Sequence, residues 1–187
     1  MLTIKEMFQD ISSINEAVLV KLSDKLWEIG TLEEIREQVS PDLFLLHIGI
    51  NMIGNWKCDG WWYVICEQAK LVPFIPKALE ALDLYDLEIA FTNVISLFPD
   101  YTVFSNEEDS YYDIINFLQS THCKVSDERL NRISFEKRKE MVKSIRQKVD
   151  TLELLTEPLW GEGAEQNGWK QILDFVILKK QENMKCH

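Results

Sequence analysis

Ser40-Pro41-Asp42-Leu43-Phe44-Leu45-Leu46-His47-Ile48-Gly49-Ile50-Asn51-Met52-Ile53 decides the fold class. Ser40 ahead of Pro41 reads as an N-cap with proline in the first helical turn, where the missing N–H costs nothing. Apolar side chains then follow on nearly every side rather than on alternate positions. That pattern predicts a helix buried all round, which requires other helices to surround it.

The flanks supply them. Upstream, Ser13-Ile14-Asn15-Glu16 reads as a capping box opening a helix with Val18, Leu22, Leu26 and Ile29 on one side, stopped at Gly30; Thr31-Leu32-Glu33-Glu34 repeats the box. Downstream, a turn is expected over Gly54 to Gly60 and a helix from Trp61 to Leu71, ending before Pro73. A short helix follows from Pro76 with Ala78, Leu79, Ala81 and Leu82 inward. Asp83 is the expected N-cap of the next, which buries Leu87, Ala90, Phe91, Val94, Ile95 and Phe98 before Pro99. Pro99 to Ser110 is the longest loop. Helices are then expected over Tyr111 to Leu118, after Ser126, and over Phe135 to Val149 after Ser134. A turn or two covers Thr151 to Glu157 before Pro158, and Gly161 and Gly163 mark a loop. The last helix spans Gly168 to Gln181 with Trp169, Ile172, Leu173, Val176 and Ile177 facing in. No useful β-alternation occurs. The expectation is one all-α domain over residues 1–187, of about eight to ten helices, in which 1–40 pack on a 41–182 core and 183–187 form a tail.

Composition agrees. Of 187 residues 46% are apolar, with six Trp, nine Phe and five Tyr to fill a core, while seven Gly and five Pro are too few for a turn-rich sandwich. The net charge of −11 is uneven: −5 over 1–60, −8 over 61–120 and +2 over 121–187. From Ala78 to Cys123, 46 residues pass without a Lys or Arg, where about five would be expected from the chain average. That stretch holds Glu80, Asp83, Asp86, Glu88, Asp100, Glu107, Glu108, Asp109 and Asp113. Solvated helix faces usually mix signs through i,i+4 pairs, so an unmixed stretch points to a surface read by a cationic partner. Glu80 and Asp83, three apart, would share a helix face about 4.5 Å apart along its axis. The plainer reading is that these groups cap helices, offset helix dipoles or simply face water. The basic segment after Phe135 (Lys137, Arg138, Lys139, Lys143, Arg146, Lys148) is expected to pair with acidic neighbours, within the monomer or across a dimer, rather than with nucleic acid.

Signatures of common chemistry are missing. The sequence contains no P-loop, G-x-G-x-x-G, G-x-S-x-G or H-E-x-x-H. His47 has Leu43 and Asn51 one turn away, neither a carboxylate, so it reads as a hydrogen-bonded core histidine. Cys58, Cys66, Cys123 and Cys186 form no metal spacing and read as reduced thiols, the first three buried; Cys186-His187 reads as a frayed end. Neither cofactor nor metal is expected. The N-terminus lacks a basic segment before an apolar one, and Leu43 to Lys57 is too short and polar to span a bilayer, so a cytoplasmic location without membrane contact is expected.

One set of residues resembles a known family. Cys58-Asp59-Gly60-Trp61-Trp62-Tyr63 follows the buried helix, and Ile75-Pro76-Lys77-Ala78-Leu79-Glu80-Ala81-Leu82 and Ile89-Ala90-Phe91 come after it. Together, over Leu43 to about Lys180, these resemble the DNA-mimic-protein-like family of small acidic bacterial helical domains. The resemblance implies an all-helical fold and a structural turn at Asp59, Gly60 and Trp61, although Asp59 stands where the family has a second small residue. A well-known member is a dimer whose acidic face imitates duplex DNA and occupies a helix-turn-helix transcription factor. The resemblance thus implies a non-enzymatic domain, a homodimer among its assemblies, whose nine middle carboxylates bind a basic DNA-binding protein. An immunity or antitoxin protein neutralising a basic toxin, and an enzyme with an unrecognised carboxylate site, are the alternatives the residues leave open.

Overall fold

The computed structural model describes residues 1–9 and 13–182, and all side chains among them except those of 166, 167 and 182. Its ten α-helices are α1 (Ile4–Met7), α2 (Glu16–Trp27), α3 (Leu32–Gln38), α4 (Pro41–Glu67), α5 (Ile75–Ala81), α6 (Tyr85–Ile95), α7 (Asp109–Gln119), α8 (Glu128–Asn131), α9 (Phe135–Trp160) and α10 (Lys170–Glu182). Short 3-10 segments fill Ala69–Phe74 and Glu165–Gly168. Among the described residues the only β-pairing is an isolated bridge between Leu2 and Val39. The class is therefore all-α. The expected tail 183–187, with Cys186 and His187, lies outside the described residues.

α4 is the axis. Ser40 Oγ accepts the Leu43 N–H at 3.3 Å and Pro41 sits in the first turn, as the local sequence demands. Leu43, Phe44, Leu46, Ile48, Ile50, Met52 and Ile53 are buried because α2, α3, α5, α9 and α10 all pack on this helix. Gly49 lets α10 approach closely, since a Cβ there would lie 2.9 Å from Ile172 Cδ1. One hydrophobic core runs from Ile4 to Val176. His47 lies inside it, fully buried, with Nδ1 2.9 Å from Ser23 Oγ, while Asn51 Nδ2 donates to Ser23 Oγ at 2.8 Å and Trp27 Nε1 donates to Asn51 Oδ1 at 3.1 Å. Burial pushes the His47 imidazole down to about 4, so it is neutral at ordinary pH.

The expected turn over Gly54 to Gly60 is not there. α4 stays helical through Cys58 and breaks only at Asp59 (φ −146°) and Gly60 (φ 76°). A glycine inside a helix costs only about 1 kcal/mol, and burial of Met52, Ile53 and Trp56 around Gly54 offsets that. At Gly60 the positive φ does require glycine. Trp61, fully buried, then opens the second half of the helix, so the three residues Asp59, Gly60 and Trp61 form a kink and not a loop.

Several other boundaries move for tertiary reasons. The second half of α4 ends at Glu67, and Pro73 falls within the 3-10 segment rather than after a helix. Asn15, not Ser13, caps α2, and Asp127, not Ser126, caps α8. α9 is one helix of 26 residues that runs through Pro158. The proline deprives the Leu154 carbonyl of its donor, but Leu154 is 75% exposed and water can serve it. On α10, Ile177 is half exposed rather than inward. Of the thiols, Cys58 is exposed, Cys66 buried and Cys123 half-buried, so the expectation of three buried cysteines fails at Cys58, on the face of α4 that turns to water before the kink.

Candidate interaction surface

The nine middle carboxylates are spread over α5, α6, α7 and the segments that join them. Glu80 lies in the last turn of α5. Asp83 is not the N-cap of α6 and shares no helix face with Glu80, because the chain turns left-handed there (φ 58°). The Leu84 N–H reaches back to the Leu79 carbonyl at 2.9 Å and the Asp83 N–H to the Glu80 carbonyl at 3.0 Å, which together close α5 with a Schellman motif. Asp86 and Glu88 sit in the first turn of α6, where a helix N-terminus favours negative charge. Asp100 follows α6, and Glu107, Glu108 and Asp109 lead into α7. Along the chain, α6 and the segment after it separate Glu80, Asp83, Asp86 and Glu88 from Asp100 and Glu107 to Asp109.

Their roles also differ. Glu80, Asp83, Asp86, Asp100, Glu107, Glu108 and Asp109 are exposed. Glu88 is half-buried and accepts from Thr92 Oγ1 at 3.3 Å. Asp113 is structural: its Oδ2 accepts the N–H groups of Ser126 at 2.9 Å and Asp127 at 2.7 Å, pinning the approach to α8 onto α7. Near Asp100, the Arg129 guanidinium lies 3.7 Å from the centroid of the Tyr101 ring and brings a cation to that end. The same Arg129 bonds hold the Asp127 carboxyl below the usual carboxylate range.

Among the described residues no Lys or Arg comes within 4.0 Å of any of the nine. The basic stretch of α9 was expected to pair with acidic neighbours, and its cations go elsewhere. Arg138 spreads over the carbonyls of Asn116, Phe117, Ser120 and Cys123 at 2.6–3.3 Å, and Arg146 donates to the Gln119 carbonyl at 2.9 Å. These carbonyls lie at and just beyond the C-terminal end of α7, where cations are favoured. Among the described residues, Lys137 alone of this stretch pairs with a carboxylate, Glu140 of its own helix, at 3.7 Å.

The corner between α5 and α6 has a second property. Tyr85 and Ile89, one turn apart on α6, are 55% and 57% exposed, and Tyr85 Oη donates to Asp83 Oδ1 at 3.1 Å, which raises the phenol's pKa. Across a groove of about 410 Å³ lie Lys148, Thr151 and Leu155 of α9, with exposed Leu154 beside them. Apolar and aromatic side chains next to a polar rim are the anatomy of a protein interface. The sequence carries a signal for this: Tyr85 and Ile89 fall off the inward stripe of α6 set by Leu87, Ala90, Phe91 and Val94. It carries none for Glu153, whose Oε1 accepts the Trp61 N–H and Oε2 accepts Trp56 Nε1, both at 2.6 Å, as a cap delivered from α9 to the kink.

Among the described residues no three His, Cys, Asp or Glu converge as metal ligands, and no helix is long and apolar enough to cross a membrane. Comparison with protein-family models, with curated proteins and with solved structures finds no match for this chain.

Proposed function

We propose that this chain is a non-enzymatic interaction domain that docks a cationic protein through the α5–α6 corner. One observation carries the reading. Glu80, Asp83 and Asp86 stand exposed with no cation within 4.0 Å among the described residues, beside exposed Tyr85 and Ile89. Uncompensated charge steers a basic partner to the face, and the apolar side chains hold it once it arrives. A DNA-binding protein is the partner class we place first, because a surface built for phosphates meets carboxylates with the same cations. The second acidic group lies beyond α6 along the chain, on the approach to α7, and adds long-range attraction.

The test is capture of basic proteins on the immobilised chain, followed by affinities for the captured partner between ~0.05 and ~0.5 M salt. Affinity should fall steeply with salt, and the triple replacement Glu80→Gln, Asp83→Asn, Asp86→Asn should flatten the dependence. An affinity indifferent to both salt and the triple replacement would refute the docking role.

A further inference from the structure

Lys139 and Lys143 of α9, together with Arg146, face an opening of their own. A pocket of about 360 Å³ lies between the Ser120–His122 segment and α9, and Thr121, His122, Lys139, Lys143, Arg146 and Gln147 line it. No carboxylate is among its lining residues. Lys139, Lys143 and Arg146 recur at i, i+4 and i+7, so they share one helix face, and like charges at that spacing repel when nothing lies between them. Among the described residues neither lysine has a carboxylate within 4.0 Å. Arg146 is held by the Gln119 carbonyl at 2.9 Å, which fixes its guanidinium and leaves further N–H groups to donate. The carbonyl end of α7 would oppose an anion here, but Arg138 already covers it at 2.6–3.3 Å. Glu136 and Asp150 stand on α9 one turn beyond either end of the triad.

We propose that this pocket binds a small phosphate-bearing polyanion, an oligophosphate or a phosphomonoester. The three cations span about 10 Å of helix, the reach of a short phosphate chain, and the opening falls within the range of small-ligand sites. Arg supplies a planar fork for two oxygens and the lysines supply point charges. An extended nucleic acid needs many more phosphate contacts and meets the charge of the rest of the chain, −11 in all.

Titration of the isotope-labelled protein with sodium tripolyphosphate, followed by amide and side-chain NMR at constant ionic strength, tests this. Saturable shifts should appear at 120–122 and 139–147. Lys139→Gln and Lys143→Gln should each weaken binding about tenfold, while Lys77→Gln on α5 should leave it unchanged. All three lysines are exposed, so these variants should fold. Pyrophosphate and a phosphomonoester run in parallel will separate the two sources of the phosphoryl group. Shifts spread over all lysines, or binding equal in the Lys143→Gln protein, would overturn the site. A single-stranded oligonucleotide binding more tightly than tripolyphosphate would replace the small ligand with a nucleic acid and equally overturn the proposal. Neither result bears on the acidic corner, whose charge Lys139→Gln and Lys143→Gln do not touch.

Discussion

Removing Glu153 should loosen the kink on which α4 turns. Its carboxylate accepts from the Trp61 N–H and from Trp56 Nε1, both at 2.6 Å. The break at Asp59–Gly60 denies the Trp61 N–H an intrahelical carbonyl, and Trp56 is only 7% exposed. A hydrogen bond to a charged partner is worth roughly 1.5–3 kcal/mol net. The kink opens onto a cleft lined by Asp59, Gly60 and Glu157, so water can replace part of what is lost. The expected cost of Glu153→Ala is therefore ~2–4 kcal/mol rather than the full sum of two bonds. Glu153→Gln keeps one acceptor and turns an NH₂ toward the other donor, for ~1–2 kcal/mol. Gly60→Ala should cost a further ~1–2 kcal/mol, because φ is positive there and the new Cβ would lie 2.7 Å from Glu153 Oε1. Since both changes displace the same carboxylate, Gly60→Ala with Glu153→Ala should cost less than the two singles added, by ~1 kcal/mol. Urea unfolding followed by tryptophan fluorescence and circular dichroism reads these values, a loss of ~3 kcal/mol moving the midpoint by ~1 M. A Glu153→Ala protein within ~0.5 kcal/mol of the parent, or strict additivity with Gly60→Ala, would show that this carboxylate does not hold the kink.

His47 should make the fold acid-sensitive: its imidazole falls from 6.5 to about 4 on burial, so the unfolded chain takes up the proton first and stability drops as pH falls from about 6.5 toward 4, by about 3 kcal/mol in all. The difference in urea stability between the parent and His47→Gln across that window isolates the effect, and a pH-independent difference would contradict it. Asp83→Asn should change stability by less than ~0.5 kcal/mol, since asparagine also tolerates the left-handed conformation, yet weaken a captured cationic partner about three- to tenfold; unchanged affinity would remove Asp83 from the docking face. Cys58 is exposed, whereas Cys66 is buried with its thiol pushed up to about 12, so a thiol reagent should modify Cys58 promptly and Cys66 only on unfolding. Mass mapping that finds Cys66 labelled first would contradict this core.

Much of the fold is written locally. Thr31 and Glu34 form their reciprocal box, the Glu34 N–H reaching Thr31 Oγ1 at 3.3 Å and the Thr31 N–H reaching Glu34 Oε2 at 2.7 Å, and Ser40–Pro41 opens α4 as its residues require. What escapes the sequence is non-local. Glu153 reaches Trp56 across 97 residues, and no local pattern marks it as a cap. Asp113 is the same residue type as Asp109 four positions earlier, but one feeds two backbone N–H groups of a distant loop and the other faces water. The acidic stretch was legible as a run without lysine or arginine. The structural use of Asp113 within it was not, because its partners, the N–H groups of Ser126 and Asp127, lie 13 and 14 residues along the chain.

The order of residues along α9 explains how an acidic face and a cationic pocket coexist. Lys137 to Lys148, the basic part, begins the helix, and Arg138 and Arg146 there bind the carbonyls of α7. Asp150, Glu153 and Glu157 follow, with Leu152 packed inward and Leu155 on the groove beside α6. Lys143 and Leu155 lie 12 residues apart on this one helix, or about 18 Å. That exceeds the Debye length of ~8 Å at physiological salt, so neither field cancels the other through solvent. A loop of the same composition could fold back and pair its ends. A helix packed against α4, α6 and α7 cannot. Carbonyls take Arg138 and Arg146, Lys139 and Lys143 line the other pocket, and Lys148 lines the groove opposite Asp86 without coming within 4.0 Å of its carboxylate. The corner's charge is thus a consequence of where the cations are held, and not only of how many acids the middle of the chain contains.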